Sequence, residues 1–218
     1  MKKPSDYPQR DTSLLLEDGI FTYFRDPGVP FYLPIGRNVL RNMYEVFLEE
    51  AETLGMSQIE IPTIMRNEVL KEGEDITDTF NERIVRLESN SLIGYHLLTT
   101  PEPMILDLAF KSLHTYNQLP LRYVYNVDVV RAVQRPKGIL KGRQFKTFMG
   151  NSLDANESSL EESLKLFEEL SNKIFERLGV DVYKRRNQEG KDIEHFYFCS
   201  EGDNLVMSDI DSTNRVSA

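Results

Sequence analysis

With 218 residues, 40% hydrophobic and 28% charged, the chain has the composition of a globular domain that can bury one good core or two small ones. Its net charge of −9 argues against broad, non-specific affinity for nucleic acid, which needs clustered basic charge. The single Cys199 excludes an internal disulfide and a multi-thiolate zinc site. No apolar run reaches the ~18 residues of a membrane span, and the opening MKKPSDYPQRD lacks the apolar stretch of a signal peptide, so the chain reads as cytoplasmic with no membrane contact.

Residues 1–13 are polar with two prolines and read as an arm ahead of one domain over 14–218. Residues 38–54 place Val39, Leu40, Met43, Val46, Phe47, Ala51 and Leu54 at spacings of three and four, which predicts a long amphipathic helix closed by Gly55. A strand follows over 58–64, ending near Pro62, then a short helix and loop over 65–80. Residues 84–87 and 95–98 read as paired strands joined by ESNSLIG. Residues 101–116 form a second amphipathic helix, with Pro101 tolerated in its first turn. A third runs over 159–178 on the stripe Leu160, Leu164, Phe167, Leu170, Ile174 and Leu178, and Gly179 ends it. Its glutamates at 157, 161, 162, 168 and 169 read as a solvated face. Strands at 196–199 and 205–207 close the chain as a hairpin around EGDN. Locally paired strands with helices set to one side predict an α+β domain on an antiparallel sheet flanked by helices.

The densest chemistry lies between residues 116 and 149, YNQLPLRYVYNVDVVRAVQRPKGILKGRQFKTFM. Residues 121–131 read as a strand, and a second strand opens at Gln144. Between the two apolar runs stand Arg131, Arg135, Lys137, Lys141 and Arg143, a basic turn in an acidic chain. A cationic loop framed by stiff strands suits a polyphosphate, whose charge takes several donors. A plainer reading is an ordinary solvated hairpin.

This hairpin resembles motif 2 of class II aminoacyl-tRNA synthetases, and its surroundings resemble the prolyl enzymes of bacterial type. FYLPIGRNVLRNMYEVFLEEAETLGMSQIEIPTI, residues 31–64, is similar to the helix and strand of motif 1, with its proline at Pro62. LLTTPEPMILDLAFKSLHTYNQLPLR, residues 97–122, resembles the stretch carrying Thr-x-Glu and a Ser-Tyr-x-Gln-Leu-Pro signature. Downstream, LEESLKLFEELSNKIFERLGVDV and DIEHFYFCSEGDN continue the prolyl pattern. The resemblance covers the chain from about Leu14 onward.

It implies a core that binds ATP with its magnesium as substrate, with no protein-bound metal, and that could take proline as its amino acid. Arg131 would hold the α-phosphate and substrate carboxylate as the catalytic cation; Arg143 would pair with phosphate and Phe145 would stack on adenine. Thr100 and Glu102 match the Thr-x-Glu that accepts the hydrogens of the proline imino group, and His195 aligns with a site histidine. Plainer roles stand beside these: Arg131 paired with Asp128, Thr99 or Thr100 capping the helix, His195 structural. The resemblance also implies a homodimer through the first helix, with Met43, Phe47, Leu54 and Pro62 at the contact, unless that stripe only covers the chain's own sheet. tRNA would be a partner, although the net charge does not indicate one.

The departures matter as much. Motif 2 usually reads Phe-Arg-x-Glu, and here Val130-Arg131-Ala132-Val133 puts an isopropyl where the acceptor stands. The closing Arg-Glu-Phe is Arg143-Gln144-Phe145. A Gly-rich motif 3 and an anticodon-binding domain are not found within the 218 residues, as for a fragment or a short paralogue. Two classes of function follow: an ATP-dependent prolyl-tRNA synthetase-like core with weak or no aminoacylation by itself, or a non-catalytic paralogue that binds an amino acid, tRNA or a protein partner.

Overall fold

The computed structural model describes residues 19–72, 81–136, 138, 139, 141–186, 193–198, 204–205 and 215–217. The polar arm, Lys137 and Cys199 lie outside them.

The chain enters through a hairpin, β1 (Thr22–Asp26) and β2 (Val29–Tyr32), paired antiparallel around Pro27-Gly28. Helix α1 (Pro34–Thr53) begins four residues before the predicted start, because Pro34 is well suited to a first turn that needs no N–H. Its face Phe47 and Ala51 turns inward. Short strands β3 (Ser57–Gln58) and β4 (Ile64–Arg66) replace the single strand expected over 58–64, and exposed Pro62 lies in the break between them. Helix α2 (Asn67–Glu72) follows, then β5 (Tyr95–Leu97), whose main partner is β4; the expected pairing with 84–87 survives as a single bridge, Arg86 to His96. Helix α3 (Glu102–Ser112) stops short of the predicted 116, where a 3-10 turn (Tyr116–Gln118) closed by a Thr115–Gln118 capping box takes over.

The backbone of the domain is the hairpin of β6 (Leu121–Val130) and β7 (Gln144–Leu153), in unbroken register from Leu121↔Leu153 to Val130↔Gln144. β3 adds to β6 in parallel, the one departure from antiparallel pairing in this sheet. Alternation along β6 splits the core in two. Tyr125, Val127 and Val129 face Met65, Leu70, Leu98 and Ile105, while Val124 faces Phe47, Ala51, Met56 and Leu170 on the helical side. Helix α4 (Glu157–Leu178) closes that second layer, capped by the Asn156 side chain on the Ser159 N–H and ended by Gly179 at φ 66°. Arg177 Nη1 meets Glu50 at 2.8 Å and so ties α4 to α1.

Beyond α4 lie β8 (Tyr183–Arg186), β9 (Ile193–Phe198), β10 (Asn204–Leu205) and β11 (Arg215–Ser217), in the order β10-β11-β9-β8. The expected hairpin of 196–199 with 205–207 is corrected here: β11 inserts between the two, and β9 takes β8 as its other neighbour.

Candidate nucleotide and amino-acid site

Arg131 stands immediately past the last ladder pair of β6, so its backbone is fixed by the sheet while its side chain leaves the strand end. Its N–H donates to the Arg143 carbonyl at 2.8 Å. Its Nε donates to the Thr99 carbonyl at 3.1 Å, and its guanidinium lies over the Phe145 ring, 5.3 Å from the centroid. These contacts orient the cation without neutralising it. Burial and the neighbouring Arg83 push its pKa down, and Glu102 partly opposes them. Asp128, the plainer partner considered for Arg131, is instead paired with Lys146 at 2.7 Å, its cross-strand neighbour.

Thr100 and Glu102 are brought together, the Thr100 hydroxyl donating to the Glu102 carboxylate. Neither Thr99 nor Thr100 caps α3; the N-cap is Pro101, with no side-chain cap bond. The Thr99 hydroxyl is spent on the Leu97 and Val130 carbonyls, which locks this segment against the end of β6. Beneath lies Tyr125, wholly buried and bonded to Asn151, its phenol pKa raised by burial and then by Glu102. A hydroxyl–carboxylate pair and a guanidinium thus share one neighbourhood at the mouth of the hairpin.

That mouth opens into a cavity of about 860 Å³, lined by Tyr32, Arg83, Arg131, Val133, Lys141 and Phe145 among others. The volume lies in the range of small-molecule sites. Val133 presents only its isopropyl, since its N–H donates to the Arg131 carbonyl and its own carbonyl accepts from Arg143 Nε at 3.0 Å. Arg143, expected to pair with phosphate, makes bonds within the fold. Nε holds the loop at Val133 and Nη1 holds the β1–β2 turn at the Pro27 carbonyl, 3.2 Å away, so this arginine braces the loop. The brace is reinforced by the backbone, with Arg143 N–H on the Gly28 carbonyl at 2.6 Å.

Two contributions escaped the sequence reading. Arg83 joins because the Ala132 N–H donates to its carbonyl at 2.8 Å, a tertiary pairing with no local signature. The β1–β2 hairpin does carry a signal, Pro-Gly between two aromatic pairs, Tyr23-Phe24 and Phe31-Tyr32. His195 lies in β9 opposite Lys184, and its side chain is outside what the structure describes. Of the residues considered for a two-fold contact, Phe47 is buried against the chain's own sheet; Met43 and Leu54 are half-buried. The exposed apolar side chains of α1 are instead Ile35 and Val39.

The architecture, with an oriented arginine at the strand end of a long antiparallel hairpin, is that of a class II aminoacyl-tRNA synthetase-like core. Within that class the chain resembles the prolyl enzymes. It is 31% identical over 178 residues to a proline–tRNA ligase of Thermotoga sp. (strain RQ2), matching 81% of this chain. The match spans 30% of that enzyme's length. The prolyl-tRNA synthetase of Giardia lamblia, solved with prolyl-adenylate, superposes with a TM-score of 0.75 at 20% identity, covering 88% of this chain and 41% of the other. That of Cryptosporidium parvum, solved with halofuginone and AMPPNP, gives 0.76 at 16% identity, covering 87% and 42%. No protein-family model matches the chain.

Proposed function

We propose that the chain is a prolyl-tRNA synthetase-like core that binds ATP, with its magnesium, in the loop cavity and proline at Thr100 and Glu102, with weak or no aminoacylation by itself. The observation that carries this is the oriented Arg131 guanidinium, which lines the cavity and is bonded at Thr99 next to the Thr100–Glu102 pair. In adenylate formation a proline carboxylate oxygen attacks the α-phosphorus, and the bond to pyrophosphate breaks. The protein's task is to hold two anions in line and balance their charge, which one preorganised guanidinium serves. Glu102 would accept from the imino group. Phe145, already carrying Arg131 on its ring, would stack on the base. Among the described residues no group of three or more His, Cys, Asp or Glu side chains could hold a metal, and magnesium enters this reading bound to the phosphates.

Val133 supports the weak chemistry. Removing one charged hydrogen-bond acceptor costs about 1.5–3 kcal/mol, or roughly one to two decades in rate if the contact is made in the transition state. Val133 also favours the second reading, a non-catalytic paralogue that binds an amino acid, tRNA or a protein partner. Calorimetry with ATP and proline, beside proline-dependent pyrophosphate exchange, tests both. ATP binding with slow or no exchange supports the proposal, and exchange at ordinary synthetase rates overturns the weak-activity part. Binding of tRNA with no nucleotide binding would favour the paralogue.

A homodimer in the cytoplasm completes the reading. Exposed Tyr23, Phe31, Ile35 and Val39, on the β1–β2 hairpin and the start of α1, support a contact there. A strict monomer in sedimentation at tens of micromolar would remove it.

A further inference from the structure

Arg83 is the feature of the cavity that neither the motif resemblance nor the packing explains. It sits in the turn after residue 81, ahead of buried Ile84, and its side chain is exposed on the cavity wall. The Ala132 N–H to Arg83 carbonyl bond fixes this turn beside the residue that follows Arg131. The wall therefore carries Arg83, Arg131, Lys141 and Lys146. Lys146 is neutralised by Asp128. The three remaining cations face one lining carboxylate, Glu82, in a chain whose overall charge is −9. Two guanidiniums close enough to perturb each other oppose folding, and the charge of Glu102 offsets this only in part. Such an arrangement persists where an anion is the missing partner.

We infer that Arg83 is a phosphate-binding residue, forming with Arg131 a two-guanidinium clamp that selects ligands with a chain of phosphates over monophosphates. The inference rests on the nucleotide reading and deepens it. Arg131 is bonded to Thr99, next to the Thr100–Glu102 pair, while Arg83 is held at Ala132, the residue after Arg131, and both arginines line the cavity. A phosphate next to the reacting carboxyl would meet Arg131, and the phosphates beyond it would meet Arg83. Arg83 is exposed and, among the described residues, bonded through its backbone, whereas Arg131 is fixed at Nε and by Phe145.

The test is calorimetry of the full chain with ATP, AMP and inorganic tripolyphosphate, on the unmutated protein, Arg83→Ala and Arg83→Lys. Thermal melts check that the variants fold. The clamp predicts that Arg83→Ala weakens ATP and tripolyphosphate at least about tenfold while AMP changes under about threefold, and that Arg83→Lys recovers part of the loss. Equal losses for AMP and tripolyphosphate, or no loss at all, overturn it. Unchanged ATP binding in Arg83→Ala would overturn the clamp and leave the nucleotide reading standing. Arg83-dependent binding of tripolyphosphate without ATP binding would keep the clamp and remove the nucleotide reading. Binding of neither ligand by the unmutated protein would end both.

Discussion

The two ends of the β6–β7 hairpin each carry an arginine, and they are built on opposite principles. At the root, Arg122 is matched by carboxylates: Nε donates to Ser163 Oγ at 2.9 Å and the guanidinium faces Glu162 at 3.5 Å. Asp154 is close by, accepting from Ser159 and Ser163. Burial alone would raise the Asp154 pKa, but the hydroxyls of Ser152, Ser159 and Ser163 and the charge of Arg122 hold it below the usual carboxylate range. At the tip, Arg131 has a carbonyl, a ring and a second arginine for company, and the charge of Glu102 opposes that arginine only in part. A cation that the fold has already balanced is structural. One that the fold orients but leaves unbalanced is available to a ligand, and that difference, more than the number of basic residues, locates the site.

The first way to break the contrast is at the root. Arg122→Ala should cost about 3 kcal/mol in a denaturant titration, because it removes the cation beside Asp154 and the donor to the buried Ser163 hydroxyl. ATP affinity of the folded protein should be unchanged. A loss of affinity without a loss of stability would show that the root is not purely structural.

Second is the brace between tip and entry hairpin. Gly28 has φ +77°, and a Cβ there would come within 2.7 Å of Pro136 Cβ and 2.9 Å of the Arg143 nitrogen. Gly28→Ala should therefore cost about 2 kcal/mol and loosen the loop, lowering ATP affinity along with stability. Proteolysis of the loop should quicken in parallel. An unchanged melt would mean that the turn does not support the loop.

A smaller effect concerns pH. His96 is fully buried, with Nδ1 2.8 Å from Asn67 Oδ1 and Nε2 without a partner among the described residues. Burial, then Arg86, lowers its pKa. The unfolded chain thus takes up this proton at a higher pH than the folded one. Stability is intact above the unfolded value and falls as pH drops from about 6.5 toward the lowered folded pKa, at up to about 1.4 kcal/mol per unit. Melts between pH 7 and 5 should show this slope and His96→Gln should flatten it; an equal slope in the variant would exclude His96 as its source.

The smallest change is Lys141→Ala at the rim. Lys141 is exposed, so its contribution to ATP binding should stay under about 1 kcal/mol and disappear in high salt. A large, salt-resistant loss would mean that Lys141 makes a specific, desolvated contact with the nucleotide.

Much of this was legible in the sequence, and for identifiable reasons. Helices α1 and α4 announce themselves by apolar spacing, and the β6–β7 hairpin by alternating apolar runs about a Gly/Pro turn. Thr100 beside Glu102, and Arg131 on Phe145, are near-neighbours whose meeting follows from one helix start and one hairpin register. What stayed hidden depends on distant pairing. The stripe with Phe47 had two candidate partners, a second copy or the chain's own sheet, and Phe148 and Leu170 decide for the sheet at that residue. The bracing role of Arg143 was hidden because its bonds to Pro27 and Gly28 span more than a hundred residues. Arg83 was invisible because only its backbone bond to Ala132 brings it to the site. β11 entered between β9 and β10 because short strands carry little register information of their own.

The most direct measurement of the central claim sets Arg131→Ala beside the unmutated protein, with ATP affinity and unfolding free energy read on the same samples. An oriented but unbalanced cation should cost little to the fold when removed, about 1 kcal/mol or less, while nucleotide affinity falls by about tenfold to a hundredfold. A variant that loses several kcal/mol of stability yet binds ATP as tightly as the parent would contradict the account, and would place Arg131 with Arg122 among the residues that only hold the hairpin together.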